Sequence, residues 1–280
     1  MFNLFGFGSE KEEQPEHGMK YRMFGDTGIK VSELGYGCVK LGRNTEVKYP
    51  TGYDLPDDEY VEKLLEHLQS LGVNLLDTSP AYGIAEAMLG KHMKNRDDWV
   101  IATKAGEVFD GTTSRYYFTP DFLKRSVERS LSKLRTDYID IFMLHLGYPS
   151  ETQILQDDKV LRVMDDLKSE GIIKATGASI YTVKGGELAL KYYDSAMVTT
   201  NPNHTGEDEV ISLAAELNKG ILIKKSLGSG NLEDFGENPL HNCFNHVFKQ
   251  KGVSSAVIAS LTLENITENA GIIKNLSFDQ

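Results

Sequence analysis

Ile139-Asp140-Ile141-Phe142-Met143-Leu144-His145 is a short run of β-branched and large apolar residues that ends in a polar side chain. Two similar runs precede it, Asn74-Leu75-Leu76-Asp77 and Trp99-Val100-Ile101-Ala102-Thr103-Lys104. Each run follows a helix-like segment, and this length and composition are typical of buried parallel strands. The three stretches therefore predict neighbouring strands of a parallel sheet whose C-terminal ends carry Asp77, Lys104 and His145.

Strand and helix signals continue to alternate along the rest of the chain. The predicted strands lie at residues 34–37, 74–77, 99–104, 138–145, 173–179, 196–199, 220–224 and 255–259. Eight strands with helices between them predict an α/β fold, a closed (β/α)8 TIM barrel, which usually forms one domain of roughly 250 residues. The turn Gly25-Asp26-Thr27-Gly28 predicts an N-terminal β-hairpin before the barrel. We expect a single domain over residues 21–280 and a flexible leader over residues 1–20.

The composition is that of a soluble protein from inside the cell. The formal net charge of −11 argues against nucleic acid or an anionic membrane as the main partner. No apolar run approaches the roughly 20 residues of a membrane span. Cys38 and Cys243 give neither a disulfide framework nor a metal-ligand spacing. We therefore expect a cytoplasmic protein without a metal site, and a monomer, although the sequence does not fix the oligomeric state.

Asp77, Tyr82, Lys104 and His145 are expected to meet in one pocket, because the C-terminal strand ends form the active face of such a barrel. A tyrosine hydroxyl, with a reference pKa of ~10, becomes a better proton donor where a cation favours its phenolate. Lys104 can supply that cation while Asp77 holds it in place, and His145 can orient a carbonyl oxygen. This chemistry suits carbonyl reduction, and it requires a nicotinamide or similar cofactor because no side chain donates a hydride.

Four stretches resemble motifs of the aldo-keto reductase superfamily. They are LDTSPAYGIAEAMLG at residues 76–90, ATKAG at residues 102–106, the segment from Ser130 to His145, and EGIIKATGAS at residues 170–179. By this resemblance Tyr82 is the proton donor and Asp77 and Lys104 tune it. His145 orients the carbonyl of a small aldehyde or ketone, which is reduced to an alcohol with NADP(H) or NAD(H).

A second group of polar residues follows the strand at residues 220–224. The segment KKSLGSGNL at residues 224–232 combines lysines, hydroxyls and glycines that can approach a pyrophosphate. It resembles the coenzyme loop of the family, and ITEN at residues 266–269 resembles the helix that receives the adenine and its ribose. The same resemblance implies that Ser179 binds the nicotinamide carboxamide. The expected coenzyme-binding residues are Gly37, Cys38, Ser179, Lys224, Lys225, Ser226, Leu227, Gly228, Ser229, Gly230, Ser260, Glu268 and Asn269.

Four positions depart from the family pattern. Lys224 stands where many relatives stack a tyrosine on the nicotinamide, and Met197 stands where they place a glutamine. Ser260 and Asn265 align with the basic residues that often hold the 2′-phosphate. We therefore expect NADP(H) to be preferred, as in most of the superfamily, but with weak discrimination against NAD(H).

Three hypotheses from different classes remain. The leading one is a nicotinamide-dependent carbonyl reductase. The second is a lyase or aldolase in which Lys104 forms a Schiff base; such an enzyme has no need of Tyr82 and Asp77 beside the lysine. The third is a nicotinamide-binding redox sensor or regulatory subunit with little turnover, like the potassium-channel β subunits of the superfamily, which retain all four residues. One such residue at a strand end is usually structural, but four in motif context are not expected by chance.

Overall fold

A computed structural model describes residues 18–147 and 150–277 as alternating strands and helices. The strands are β1 (Tyr21–Met23), β2 (Lys30–Ser32), β3 (Leu34–Gly37), β4 (Leu75–Asp77), β5 (Val100–Ala105), β6 (Glu107–Phe109), β7 (Ser114–Tyr116), β8 (Ile139–His145), β9 (Ile173–Ser179), β10 (Ser195–Thr199), β11 (Gly220–Lys224) and β12 (Ser255–Ile258). The α-helices are α1 (Asp58–Ser70), α2 (Ala85–His92), α3 (Pro120–Leu134), α4 (Glu151–Leu155), α5 (Asp158–Ser169), α6 (Val183–Tyr192), α7 (Asp208–Leu217), α8 (Pro239–Phe248) and α9 (Leu263–Asn275). The leader expected over residues 1–20 lies mostly outside the described residues.

Eight of these strands close into a parallel barrel. Around the barrel the order is β10, β11, β12, β3, β4, β5, β8 and β9, and β9 pairs with β10 again. Every neighbouring pair is parallel. The predicted α/β TIM barrel is thereby confirmed, and each predicted strand overlaps one barrel strand.

The barrel strands are buried because helices cover their outer surface. In β8 all seven residues are buried. Helix α1 presents one apolar stripe to the sheet, with Val61, Leu64, Leu65 and Leu68 buried at the i, i+3, i+4, i+7 spacing of an amphipathic helix. The helix begins after Asp57, whose side chain accepts the Tyr60 N–H at 2.8 Å and so caps the first turn. The spacing of apolar residues thus determines which side of each helix faces the barrel.

The N-terminal hairpin closes one end of the barrel. Strands β1 and β2 pair antiparallel with Tyr21 opposite Ser32, which confirms the predicted hairpin. Phe24 and Val31 are fully buried in the same cluster as Ile141 and Met143 of the barrel interior. A Cβ on Gly220, the first residue of β11, would lie 2.6 Å from the Phe24 ring. The hairpin therefore packs at the N-terminal strand ends and leaves the C-terminal ends for a site.

A second hairpin, which the sequence analysis did not predict, follows β5 at the C-terminal end of the barrel. Strands β6 and β7 pair antiparallel with Glu107 opposite Tyr116. Asp110 stabilises the turn, because its Oδ1 accepts the N–H groups of Thr112 at 3.0 Å and Thr113 at 2.9 Å. The Asp110-Gly111 pair is a known hairpin signal and could have predicted this turn. The hairpin matters because it brings Glu107 to the site.

Three further observations concern the chain as a whole. In the two described ranges, no helix has the length and apolar character needed to cross a bilayer. Cys38 and Cys243 are both buried with free thiols. Met19 is fully buried, and Lys20 Nζ donates a hydrogen bond to the Leu276 carbonyl at 2.5 Å. The residues just before β1 therefore pack against the segment that follows α9.

Candidate active site

Asp77 and Lys104 form a buried ion pair across the neighbouring strands β4 and β5. Lys104 Nζ donates to Asp77 Oδ1 at 2.5 Å and to the Thr78 carbonyl at 2.9 Å. The Asp77 side chain is only 5% exposed and the Lys104 side chain 1%. Burial raises the pKa of Asp77, and the charge of Lys104 opposes that rise. Removing either partner would leave an uncompensated charge in the barrel.

Tyr82 reaches the ion pair through a short 3-10 turn, Pro80–Tyr82. Ser79 caps this turn, since its Oγ accepts the Ala81 N–H at 3.1 Å. The turn ends at Gly83, whose φ is 62° and where a Cβ would lie 2.1 Å from the Gly42 carbonyl oxygen, so only glycine fits there. The resulting position puts Lys104 Nζ 5.1 Å from the centroid of the Tyr82 ring.

The electrostatic surroundings of Tyr82 keep its hydroxyl protonated. Burial raises the pKa of Tyr82 well above its usual value, and the negative charges of Asp77 and Glu107 raise it further. The sequence predicts that Lys104 favours the phenolate. In the structure the charge of Lys104 is offset by Asp77, with which it is directly paired. At neutral pH Tyr82 therefore carries the proton that a general acid must donate.

His145, the last residue of β8, faces Tyr82 edge-on with ring centroids 6.1 Å apart. Its Nδ1 lies 3.2 Å from Ser79 Oγ and 3.1 Å from Glu107 Oε2. Burial lowers the pKa of His145 well below its usual value, and the nearby cations, first Lys104, lower it further. The imidazole is therefore neutral around pH 7 and carries one ring proton.

Two residues beside His145 belong to none of the motifs and were not predicted. Glu107 Oε1 accepts hydrogen bonds from Ser114 Oγ at 2.5 Å and from Arg43 Nη1 at 3.3 Å. Arg43 also donates to the Ala81 carbonyl at 3.3 Å, and its guanidinium lies 3.5 Å from the centroid of the Phe109 ring. Arg43 therefore links the loop after β3, the turn that carries Tyr82, and the β6–β7 hairpin.

A cavity of about 580 Å³ joins these residues to helix α9. Asp77, Tyr82 and His145 line it, whereas Lys104 lies behind Asp77. The expected coenzyme-binding residues that line it are Gly37, Ser179, Lys224, Lys225, Ser226, Leu227, Ser229, Gly230, Ser260, Glu268 and Asn269.

Two expected coenzyme-binding residues, Cys38 and Gly228, are not on the cavity wall. The Cys38 thiol is fully buried, and its Sγ lies 3.7 Å from the Tyr36 carbonyl. Gly228 packs against Phe235, because a Cβ at Gly228 would come within 2.9 Å of that ring.

The far part of the cavity contains polar atoms that lack a protein partner. Ser226 Oγ and Asn269 Oδ1 are buried without a hydrogen bond, which costs free energy unless a ligand or water supplies one. In the same loop Lys225 and Ser229 have φ values of 56° and 60°, a left-handed conformation that is unfavourable for residues other than glycine. These features fit a polar, extended ligand such as a nicotinamide dinucleotide.

Lys224 also lines the cavity, which extends from Tyr82 and His145 to Asn269. Its Nζ donates to Ser179 Oγ at 2.9 Å and to the Ile180 carbonyl at 2.6 Å. Burial lowers the pKa of Lys224 to about 7. Over residues 18–147 and 150–277, no three His, Cys, Asp or Glu side chains are grouped so that they could hold a metal ion.

Known proteins that are similar to this chain are named as reductases or oxidoreductases. A solved structure of a Pseudomonas aeruginosa protein assigned as an aldo-keto reductase is 39% identical, covers 91% of this chain and 94% of its own, and superimposes with a TM-score of 0.82. The uncharacterised oxidoreductase YqkF of Bacillus subtilis is 33% identical over 166 residues, which is 58% of this chain and 49% of YqkF. The NADH-specific methylglyoxal reductase of Escherichia coli is 32% identical over 177 residues, which is 58% of this chain and 52% of that enzyme.

The chain therefore spans about half the length of these two curated relatives. The sequence model of the Aldo/keto reductase family, by contrast, matches residues 33–277, from the start of the barrel through its last helix. With this match and the barrel geometry, the chain belongs to the aldo/keto reductase family.

Proposed function

We propose that this protein reduces an aldehyde or ketone to an alcohol with a nicotinamide coenzyme, and that Tyr82 is the general acid. The observation that carries the proposal is the arrangement at the head of the cavity. A protonated tyrosine and a neutral histidine stand side by side over a buried Lys104–Asp77 pair. The cavity then continues to the loop and helix with unpartnered polar atoms. The reaction would be reversible, with Tyr82 accepting the proton when an alcohol is oxidised.

Each residue has a distinct role in this proposal. A bound nicotinamide would supply the hydride, which no side chain can donate. His145, whose Nδ1 is held between Ser79 Oγ and Glu107 Oε2, would present its Nε2 edge to the carbonyl oxygen and orient it. Tyr82 would transfer its proton to that oxygen as negative charge develops there. An alkoxide is far more basic than a phenolate, so the raised pKa of Tyr82 does not prevent the transfer.

The coenzyme would occupy the cavity from Ser179 to Asn269. Ser226 Oγ and Asn269 Oδ1 are suited to bind its polar groups, and the lysines beside the loop are suited to its phosphates. Among the described residues of the wall at positions 257–269, none is a cation and Glu268 is acidic. We propose that NADP(H) is preferred only weakly and that NAD(H) is also accepted. One relative, from Escherichia coli, is named as NADH-specific, which supports the acceptance of NAD(H).

The Schiff-base alternative is disfavoured by the position of Lys104. Its side chain is 1% exposed, and its Nζ is held by Asp77 and by the Thr78 carbonyl. A nucleophilic amine must reach the substrate. The sensor alternative shares the whole site with the reductase, so only turnover separates the two. Location in the cytoplasm and a monomeric state remain predictions.

Turnover on a panel of aldehydes and ketones tests the proposal. We expect the purified protein to oxidise NADPH or NADH in the presence of at least one small aldehyde, with stoichiometric formation of the alcohol. Coenzyme binding is measured in parallel by fluorescence titration. Binding without turnover on any member of a broad panel would contradict the reductase and favour the sensor. Absence of binding would contradict both.

A further inference from the structure

Lys224 lies on the wall of the cavity beside the position that the redox-active ring of a bound coenzyme would take. It ends β11, lines the same cavity as Tyr82 and His145, and its positive charge lowers the pKa of His145. A hydride can reach a carbonyl carbon between Tyr82 and His145 only from a ring next to them. The wall beside that position carries Lys224 and its hydrogen-bond partner Ser179.

The ammonium of Lys224 is held in place by hydrogen bonds, but not all of its N–H groups have a partner in the protein. It has three protons, and two of them are donated, to Ser179 Oγ at 2.9 Å and to the Ile180 carbonyl at 2.6 Å. The Tyr181 ring lies 4.5 Å from the same Nζ and restricts its movement on one side. One N–H therefore remains for a ligand, and the position of Nζ on the wall is fixed.

We propose that Lys224 makes the protein discriminate between the oxidation states of its coenzyme, by favouring the neutral reduced nicotinamide over the cationic oxidised one. The inference rests on the proposed function, because it requires a nicotinamide in the cavity. The physical cause is direct, since a fixed ammonium beside the ring repels a positive ring and leaves a neutral one unaffected.

The charge of Lys224 depends on its surroundings. Burial, followed by the positive charges of Lys225 and Lys104, lowers the pKa of Lys224 to about 7 although Glu207 and Glu151 oppose the shift. Of the other groups nearby, Tyr181 is uncharged because its pKa is raised, His145 is neutral, and the charge of Asp77 is paired with Lys104. Lys224 is therefore a group of this wall whose charge changes near neutrality.

The sign of the effect follows from linkage. Below the pKa of Lys224 the ammonium is present and disfavours the oxidised coenzyme. As the pH rises through about 7 the proton is lost, the repulsion disappears, and the oxidised coenzyme binds more tightly. The reduced coenzyme carries no charge on its ring, so its affinity changes less. Below neutral pH the protein would thus retain the reduced form and release the oxidised form.

Titration of NADH by fluorescence and displacement of NADH by NAD+, each from about pH 6 to about pH 9, tests this inference. NAD(H) is used because the 2′-phosphate of NADP(H) also titrates, with a pKa of about 6. We expect the ratio of the Kd for NAD+ to the Kd for NADH to fall by roughly tenfold across this range. The exposed lysine variant Lys251→Met should behave like the wild type.

Two substitutions at the site complete the experiment. Lys224→Met should give a low ratio that does not change with pH. Lys224→Arg should keep a high ratio at every pH, because a guanidinium does not lose its proton in this range. Circular dichroism confirms that each variant is folded. A pH-dependent ratio in Lys224→Met, or a pH-independent ratio in the wild type, would overturn this inference alone. Failure of the wild type to bind either coenzyme would overturn the proposed function as well.

Discussion

The two ends of the cavity differ in how their polar groups are satisfied. At the end near Tyr82, called the catalytic end for its proposed role, Lys104 donates to Asp77 and to the Thr78 carbonyl, and Ser79 contacts His145. The Thr78 hydroxyl is buried without a partner, but it is not on the cavity wall. At the end near α9, called the coenzyme end for the ligand proposed there, Ser226 Oγ and Asn269 Oδ1 are buried without a partner. The backbone differs in the same way, because Lys225 and Ser229 hold left-handed conformations that the loop must stabilise elsewhere.

This difference indicates which parts of the site the protein forms by itself. The side chains proposed for proton transfer are positioned by contacts within the barrel. The coenzyme end contains groups whose hydrogen-bonding capacity remains unused. A ligand that satisfies them would stabilise the folded protein through its binding energy. Substitutions at the two ends should therefore have different effects on stability and on binding.

The largest expected effect at the catalytic end is that of Lys104→Met. The substitution leaves Asp77 buried without its partner, so we expect a loss of roughly 3–5 kcal/mol in the free energy of unfolding. We also expect turnover to fall by roughly 10²-fold or more, because Tyr82 loses the cation beneath it. Chemical denaturation and steady-state kinetics measure the two effects.

The double variant Asp77→Leu with Lys104→Met separates these two effects. It removes both charges together, and the free energy of unfolding should return close to the wild-type value. Turnover should not return, since neither polar group is present. Equal destabilisation in the single and double variants would show that the charge pairing is not what stabilises this end.

Ser226→Ala at the coenzyme end should have smaller effects, and it should weaken coenzyme binding without lowering stability. The Ser226 hydroxyl has no partner in the protein, so its removal should leave the free energy of unfolding unchanged or slightly higher. The Kd for the coenzyme should rise by about tenfold, as expected for loss of one hydrogen bond of ~1.5 kcal/mol to a charged phosphate. Thermal denaturation and fluorescence titration provide the two readouts.

Ser195→Ala is the matched control for Ser226→Ala. Ser195 is also fully buried, but its Oγ donates to the Thr176 carbonyl at 2.9 Å, and it lies away from the cavity wall. We expect a loss of roughly 1 kcal/mol in stability and no change in coenzyme binding. If Ser226→Ala destabilised the protein as much as Ser195→Ala does, the Ser226 hydroxyl would have a structural partner and the contrast between the two ends would fail.

The sequence predicted the barrel and the meeting of four polar residues for the same physical reason. Short apolar runs such as residues 139–144 form strands buried on both faces, and parallel strands bring their C-terminal ends to one side of the barrel. Asp77, Lys104 and His145 each end or nearly end such a run. The motif context then identified Tyr82, which lies on a turn that no periodicity would predict.

The environment of the site could not be predicted in the same way. Glu107 and Arg43 lie outside the motifs, and they meet because the β6–β7 hairpin and the loop after β3 fold over the same strand ends. The pKa of Tyr82 is raised, not lowered, because of burial first and then the negative charges of Asp77 and Glu107. A sequence shows which charges are close along the chain, but it does not show how much water surrounds them.

Tyr82→Phe tests most directly whether the Tyr82 hydroxyl donates the proton. The substitution keeps the ring and removes only the hydroxyl. We predict that kcat for a good aldehyde falls by roughly 10²–10⁴-fold while the Kd for the coenzyme stays within about twofold of the wild-type value. The exposed control Tyr117→Phe should change neither quantity. Wild-type turnover by Tyr82→Phe on the same aldehyde would contradict the role of Tyr82 as proton donor.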